Sequence, residues 1–448
     1  MSIESKTPLI STTDIRGPVR SVSFSHTGEL AVCSNIQPGM VRLLKPEEKD
    51  RFNAFGTPIN WRMHEIGYLP IPDKTNMVTS VTRDAPVTSV TPHTSYFTYA
   101  AFHPKLPLLA TASADIVQLC QLLINQNRWS ATYVATYVAT LIHNSVTSVA
   151  FHPTALLLAT GSGDSSAKLW RLSSDNSSAT CVATLAGHSG SVNSVAFHPT
   201  AQLLATSSDD RTAKLWLLSS DNSSATCVAT LEGHNNGVSS VAFHPTALLL
   251  ATGSYDNTAK LWRLSSDNSS ATCVATLAGH SNFVNSVAFH LTAPLLATGS
   301  ADHTAKLWRL SSDNSSATCV ATLAGGVYGH GNSVTSVAFH PSAWFLATGG
   351  DDSTVKLWKI KKILEELLPI VVTVSPARPA SSKPSSASSA PSDSNPLQPK
   401  GGSIIRHHKK RSSRKLKRYA SKRIKRNRNR NKYRKSKKAK TKRYRKLR

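Results

Sequence analysis

Four tryptophans, Trp170, Trp216, Trp262 and Trp308, stand 46 residues apart, and Trp358 follows after 50. Each closes a copy of one frame: ATGSGDSSAKLW (159–170), ATSSDDRTAKLW (205–216), ATGSYDNTAKLW (251–262), ATGSADHTAKLW (297–308) and ATGGDDSTVKLW (347–358). A fixed period constrains the fold more than composition does, because each copy is one supersecondary unit whose apolar surface its neighbours must cover. Inside a copy the apolar residues alternate with a period of two, as in strands. SVNSVAFHP (191–199) reads as a strand ending in a His-Pro turn, QLLATSS (202–208) as a second, TAKLWLL (212–218) as a third and CVATL (227–231) as a fourth. Gly, Asp, Asn and Pro mark the joints. Four short antiparallel strands per copy predict the blades of a propeller.

The Gly-His dipeptide, the Asp in a tight turn and the strand-borne Trp resemble the WD-repeat β-propellers, over roughly residues 8–374. One departure is visible. The residue after Trp is Arg171, Leu217, Arg263, Arg309 or Lys359, never the Asp that names the family. The five strong repeats run over 143–172, 188–218, 234–264, 280–310 and 330–360. Upstream, His93, Thr111 and Asp115 keep the register, with Cys120 near the Trp position, and GPVRSVSFSHTGELAVCSNIQPGMVRLL (17–44) supplies three strands of a degenerate unit. The total is seven, a common closed number in the family. The expected fold is thus all-β, a seven-bladed propeller of four-stranded antiparallel blades within residues 1–375, followed by a disordered basic C-terminal tail. Blade one is expected over 17–91, with residues 86–91 as its fourth strand and 46–84, including Trp61, as an insertion. An open ring leaves an unpaired edge. PLIST (8–12) is the expected closing strand, with LPIVVTV (368–374) the other candidate.

Thr, Asp and His recurring with Trp admit two readings. Ser/Thr, His and Asp are the residues of nucleophilic hydrolysis, whereas the resemblance implies a hydrogen-bonded structural tetrad in each blade. The sets are His143, Thr160, Asp164, Trp170; His188, Thr206, Asp210, Trp216; His234, Thr252, Asp256, Trp262; His280, Thr298, Asp302, Trp308; and His330, Thr348, Asp352, Trp358. A buried indole N–H needs an acceptor and an Asp orients an imidazole, while five equivalent triads would be redundant in an enzyme. The structural reading is preferred, so no catalytic residue is assigned.

His152, His198, His244, His290 and His340 are read as turn residues pointing outward around the ring. Cys181, Cys227, Cys273 and Cys319 are read as small buried side chains, since copies on successive blades do not converge on the tetrahedral set that zinc requires. No metal site and no cofactor are expected, and no P-loop or Rossmann glycine pattern is present.

Near-identical repeats confine specificity to positions that vary. Before the tetrad Asp stand Gly163, Asp209, Tyr255, Ala301 and Asp351; after it, Ser165, Arg211, Asn257, His303 and Ser353; three residues past the loop His, Ser191, Gly237, Phe283 and Ser333. The resemblance implies that these loops share a face, commonly the one that binds partners. Arg211, Tyr255, Asn257 and Phe283 are the candidate protein-binding residues, because exposed aromatics with polar neighbours anchor interfaces.

Composition enters through charge. Of the 52 Lys and Arg, 26 lie between Lys400 and Arg448, where there is no Asp or Glu, so the formal charge of +27 belongs almost wholly to the tail. Residues 376–404 form a Pro/Ser-rich linker and 405–448 a Lys/Arg-rich segment too charged to build a core. Lys409, Lys410, Arg411, Arg414, Lys415, Lys417, Arg418, Lys422, Arg423, Lys425, Arg426, Tyr433, Arg434 and Lys435 are its candidate polyanion contacts, RNA or DNA without sequence specificity. The expected protein is a non-enzymatic scaffold of a nuclear or nucleolar assembly, a monomeric propeller within a larger complex. The alternative is an adaptor, such as a substrate receptor, whose tail only directs it to the nucleus or which stays in the cytoplasm. No apolar run suits a signal peptide or a membrane span, so a reducing intracellular setting is expected.

Overall fold

The computed structural model describes residues 10–12, 17–34, 40–49, 60–70, 97–127, 130–323 and 329–360. They form seven four-stranded antiparallel sheets, and the first strands of consecutive sheets pack side by side in a closed ring. Blade four shows the pattern: Val192–Phe197 innermost, then Leu203–Ser208, Ala213–Leu218 and Ala225–Leu231 at the rim. The second strand is buried along its whole length because blades cover both its faces, and so reads as a continuous apolar and small run. The outermost strand has one buried residue, Leu231.

Ring closure uses the N-terminus. Ile10–Thr12 pairs antiparallel with Val355–Leu357 and completes blade seven, whose other strands come from the last repeat. The other candidate, 368–374, lies outside the described residues, as do 376–404 and 405–448.

Blade one corrects the sequence reading. Its third strand, Met40–Lys49, pairs with Asn60–Pro70, so the fourth strand lies inside the segment read as an insertion. Pairing 40–49 with 60–70 requires a much shorter connection than an excursion to 86–91 would, at lower entropic cost. Residues 86–91 lie outside the described set.

Adjacent blades are stitched at the innermost strands by side chains. The Ser of each Val-x-Ser-Val motif accepts the backbone N–H of the next blade: Val195 on Ser148, Val241 on Ser194, Val287 on Ser240, Val337 on Ser286 and Val22 on Ser336, at 3.1–3.4 Å. The preceding bulged residue donates to a neighbouring carbonyl, as Asn193 does to Val238, Asn285 to Val334 and Thr335 to Val19. In blade two Tyr99 stands where this Ser would be.

The FH histidines form a second clasp, and here too the reading is corrected: they do not point outward. His152, His198, His290 and His340 are buried, and His244 is half-buried. Nδ1 of each accepts the backbone N–H groups of its own turn, and each ring meets a Phe of the following blade edge-on at 5.0 Å, the last pair being His340 with Phe24.

Close blade contact also explains a glycine. A Cβ on Gly349 would lie 2.5 Å from Val19 Cγ1 and 3.1 Å from Val22 Cγ1. Ala112 and Ser207 hold the corresponding position in blades two and four. Gly349→Ala is expected to lower stability by about 1–3 kcal/mol through overpacking. An unchanged melting midpoint would remove that account of the closure.

Candidate functional site

The five His/Thr/Asp/Trp sets each lie within one blade. In blade four the Trp216 indole donates to Thr206 Oγ1 at 2.9 Å, Thr206 meets His188 Nε2 at 2.7 Å, and His188 Nδ1 lies 2.7 Å from Asp210 Oδ2. Blades five, six and seven repeat this within a few tenths of an ångström, with Trp262, Trp308 and Trp358 as donors. Because Thr206 already accepts the indole proton, its own proton goes to Nε2, which fixes a neutral imidazole whose Nδ1–H donates to the carboxylate. Burial lowers the pKa of His188 and His234 below the usual imidazole value against the opposing pull of their Asp partners. Burial raises the Asp256 carboxyl, but the Thr258 hydroxyl and His234 outweigh it and hold the group at about 2.

This wiring matches a hydrolytic triad in connectivity, yet its chemistry is closed off. Thr206, Thr252, Thr298 and Thr348 are each 0% exposed, and the indole occupies the hydroxyl. No substrate carbon can approach a nucleophile held in this way. Instead Asp210 also caps its turn, accepting the N–H and hydroxyl of Thr212 at Oδ1 and the Ser189 N–H at Oδ2. Each set ties the loop, second strand, turn and third strand of a blade together.

Blade three differs in a way the sequence spacing conceals. His143 presents Nδ1 to Thr160 at 2.8 Å, while Nε2 meets Ser166 at 3.1 Å and stands 3.4 Å from Asp164. The cause is the preceding residue. Gly187, Gly233 and Gly279 adopt φ of +148°, +133° and +146°, whereas Ile142 takes that place at the end of a strand. An L side chain does not enter that region readily, so the loop delivers the imidazole turned over. In blade two, Cys120 sits opposite Leu109, as Trp170 sits opposite Leu158. His93 lies outside the described residues.

The rim cysteines correct the sequence reading. Cys181, Cys227 and Cys273 are exposed and Cys319 is half-exposed. They lie on outermost strands, which no further strand covers. Among the described residues no group of three or more His, Cys, Asp or Glu side chains is placed to hold a metal ion, and no helix is long and apolar enough to cross a membrane.

The variable positions meet across blade boundaries. In blades four to seven the residue before the tetrad Asp bonds through its N–H to the residue three past its own loop His, as Asp209 does to Ser191 and Tyr255 to Gly237. The side chain at the same position reaches the next blade. Tyr255 packs edge-on against Phe283 with centroids 5.2 Å apart and planes at 61°, and Phe283 is 44% exposed. Arg211 and Asn257 occupy left-handed turn positions with φ of +69° and +70°, Arg211 exposed and Asn257 half-buried. Tyr255 and Phe283 thus come together directly, while Arg211 and Asn257 hold equivalent turn positions in blades four and five. Two features escaped sequence reasoning: the Ser stitching and the His–Phe clasp. Both have a readable signal in the repeated V-x-S-V-A-F-H string.

No curated protein matches the chain. The family model described as WD domain, G-beta repeat matches five times, at residues 135–171, 179–216, 225–263, 271–309 and 317–359. These matches cover blades three to seven, and the structure adds two more blades built on the same plan. The chain is a member of the WD-repeat β-propeller family.

Proposed function

We propose that this protein is a non-enzymatic scaffold that holds other proteins on its propeller through Arg211, Tyr255, Asn257 and Phe283. Propellers of this family are generally non-enzymatic and typically bind other proteins. The observation that carries the choice of surface is the Tyr255–Phe283 pair. Among the described residues, repeats that are otherwise nearly identical bring Tyr and Phe together at this boundary, one of them well exposed. Exposed aromatic pairs with polar surroundings supply the anchor energy of protein interfaces. A Tyr255→Ala/Phe283→Ala variant is expected to lose most bound partners in affinity purification while melting like the parent. Recovery of the same partners would refute this surface.

The tail extends the proposal. With 26 Lys and Arg and no acid between Lys400 and Arg448, residues 405–448 suit a polyanion, RNA or DNA, in a nuclear or nucleolar assembly. Tyr419, Tyr433 and Tyr444 interleave the charges and offer stacking surfaces for bases. If about eight phosphates are engaged, affinity falls by roughly four decades between 50 and 200 mM salt. A 1–375 truncation is expected to lose this binding and its salt slope. Equal binding by truncation and full chain would move the nucleic-acid contact off the tail.

A further inference from the structure

The clefts between neighbouring blades on the variable face are not equivalent, and one is already filled by a cation. Between blades seven and one, Asp351 is paired with Arg20 of the following blade, Nη1 to Oδ1 at 3.1 Å. Asp209 occupies the same position in blade four. The residue of blade five that corresponds to Arg20 is Ser239, whose hydroxyl bonds Gly253 and Val284 carbonyls instead. Among the described residues no cationic side chain pairs with Asp209. Its Oδ1 accepts the Asn193 amide at 2.6 Å, which fixes the carboxylate and leaves its charge uncompensated.

The wall opposite is aromatic. The point where a Gly237 Cβ would lie is 2.9 Å from Asp209 Oδ1 and 3.1 Å from Tyr255 Cδ2, so carboxylate and ring face each other across that glycine. The counterparts of Gly237 are Ser191, Phe283 and Ser333, so among these four boundaries this one has no side chain between its walls. Burial, and then the Asp209 charge, raise the pKa of the Tyr255 hydroxyl, consistent with a negative charge held close to it.

We infer that the cleft between Asp209 and Tyr255 receives a single Lys or Arg side chain from a partner peptide, doing there what Arg20 does for Asp351. This rests on the reading of the face as a docking surface and adds what it selects. The carboxylate supplies the ionic partner, and the Tyr255 ring attracts the cation and covers its aliphatic stem. The exposed ring of Phe283 takes an apolar side chain beside it. Arg211, exposed two residues beyond Asp209, repels further positive charge. The favoured ligand is therefore an isolated basic residue next to an apolar one, not a polybasic run.

Selection of a random displayed peptide library on the full chain tests this. Peptides recovered on the parent are expected to be enriched about tenfold in one Lys or Arg adjacent to an apolar residue. Asp209→Asn, a surface change that keeps the Asn193 contact, is expected to lose the basic enrichment and keep the apolar one. Tyr255→Ala/Phe283→Ala is expected to lose both. Apolar peptides without basic enrichment, or basic enrichment unchanged in Asp209→Asn, would overturn the cation assignment while leaving the docking surface standing. Identical peptides on the parent and the double-Ala variant would overturn both.

Discussion

Trp216→Ala is expected to destabilise the protein by about 3–5 kcal/mol, the usual loss for truncating a buried Trp. Two terms act together. The indole is 3% exposed in a core built with Leu157, Leu169, Val195 and Leu204, so a cavity opens between blades three and four. Its N–H also leaves Thr206 Oγ1. Trp216→Phe separates these terms: it refills most of the cavity and restores no donor, so its smaller loss measures the hydrogen bond, about 1–3 kcal/mol. The measurement is urea unfolding of both variants. Equal losses for Ala and Phe would mean that the polar network, not the packing, holds the blade.

Acid is expected to unfold the propeller well above the carboxylate range. Burial lowers the imidazole pKa of His103 and His143 to about 4, and lowers those of His152, His188, His198, His234, His244, His290 and His340. The unfolded chain binds protons at these positions near pH 6.5, so between 6.5 and 4 it holds more protons than the folded one. Their stability contribution is therefore complete above pH 6.5 and is lost as pH falls. His103 and His143 alone account for a loss on the order of a few kcal/mol each by pH 4. Below that, Asp164, Asp210, Asp256, Asp302 and Asp352, whose pKa values are lowered on folding, remove more. Thermal midpoints are expected to be flat from pH 8 to 7 and to drop steeply from 6.5 to 4. A midpoint constant down to pH 5 would show that the clasps tolerate charge.

What the sequence shows and hides follows from where information repeats. Blades three to seven are legible because five copies hold Thr, Asp and Trp in one register, and the structure returns that register strand by strand. The fourth strand of blade one is not legible: 60–70 lacks the repeat pattern and is recognised only by its pairing with 40–49. Exposure of Cys181 is hidden because an alternating string does not say that nothing lies beyond the last strand. The turned-over ring of His143 depends on one backbone angle, readable in hindsight from Ile142 where its siblings have Gly. Tyr255 announces itself as an exception, but its standing opposite Asp209 depends on a neighbouring blade and on a glycine 18 residues earlier.

The pairing of Ile10–Thr12 with Val355–Leu357 joins segments separated by almost the whole described chain. Arg20 with Asp351 and Thr335 with Val19 span a similar separation. Such contacts impose the largest loop-closure cost in the molecule and form late when folding proceeds from local pairings. During synthesis at about 5–20 residues per second, the first strand waits tens of seconds for its partner to be made. Over that interval the nascent ring has an open edge, so a weakened closure would show first as lower yield of native protein rather than as a lower melting point.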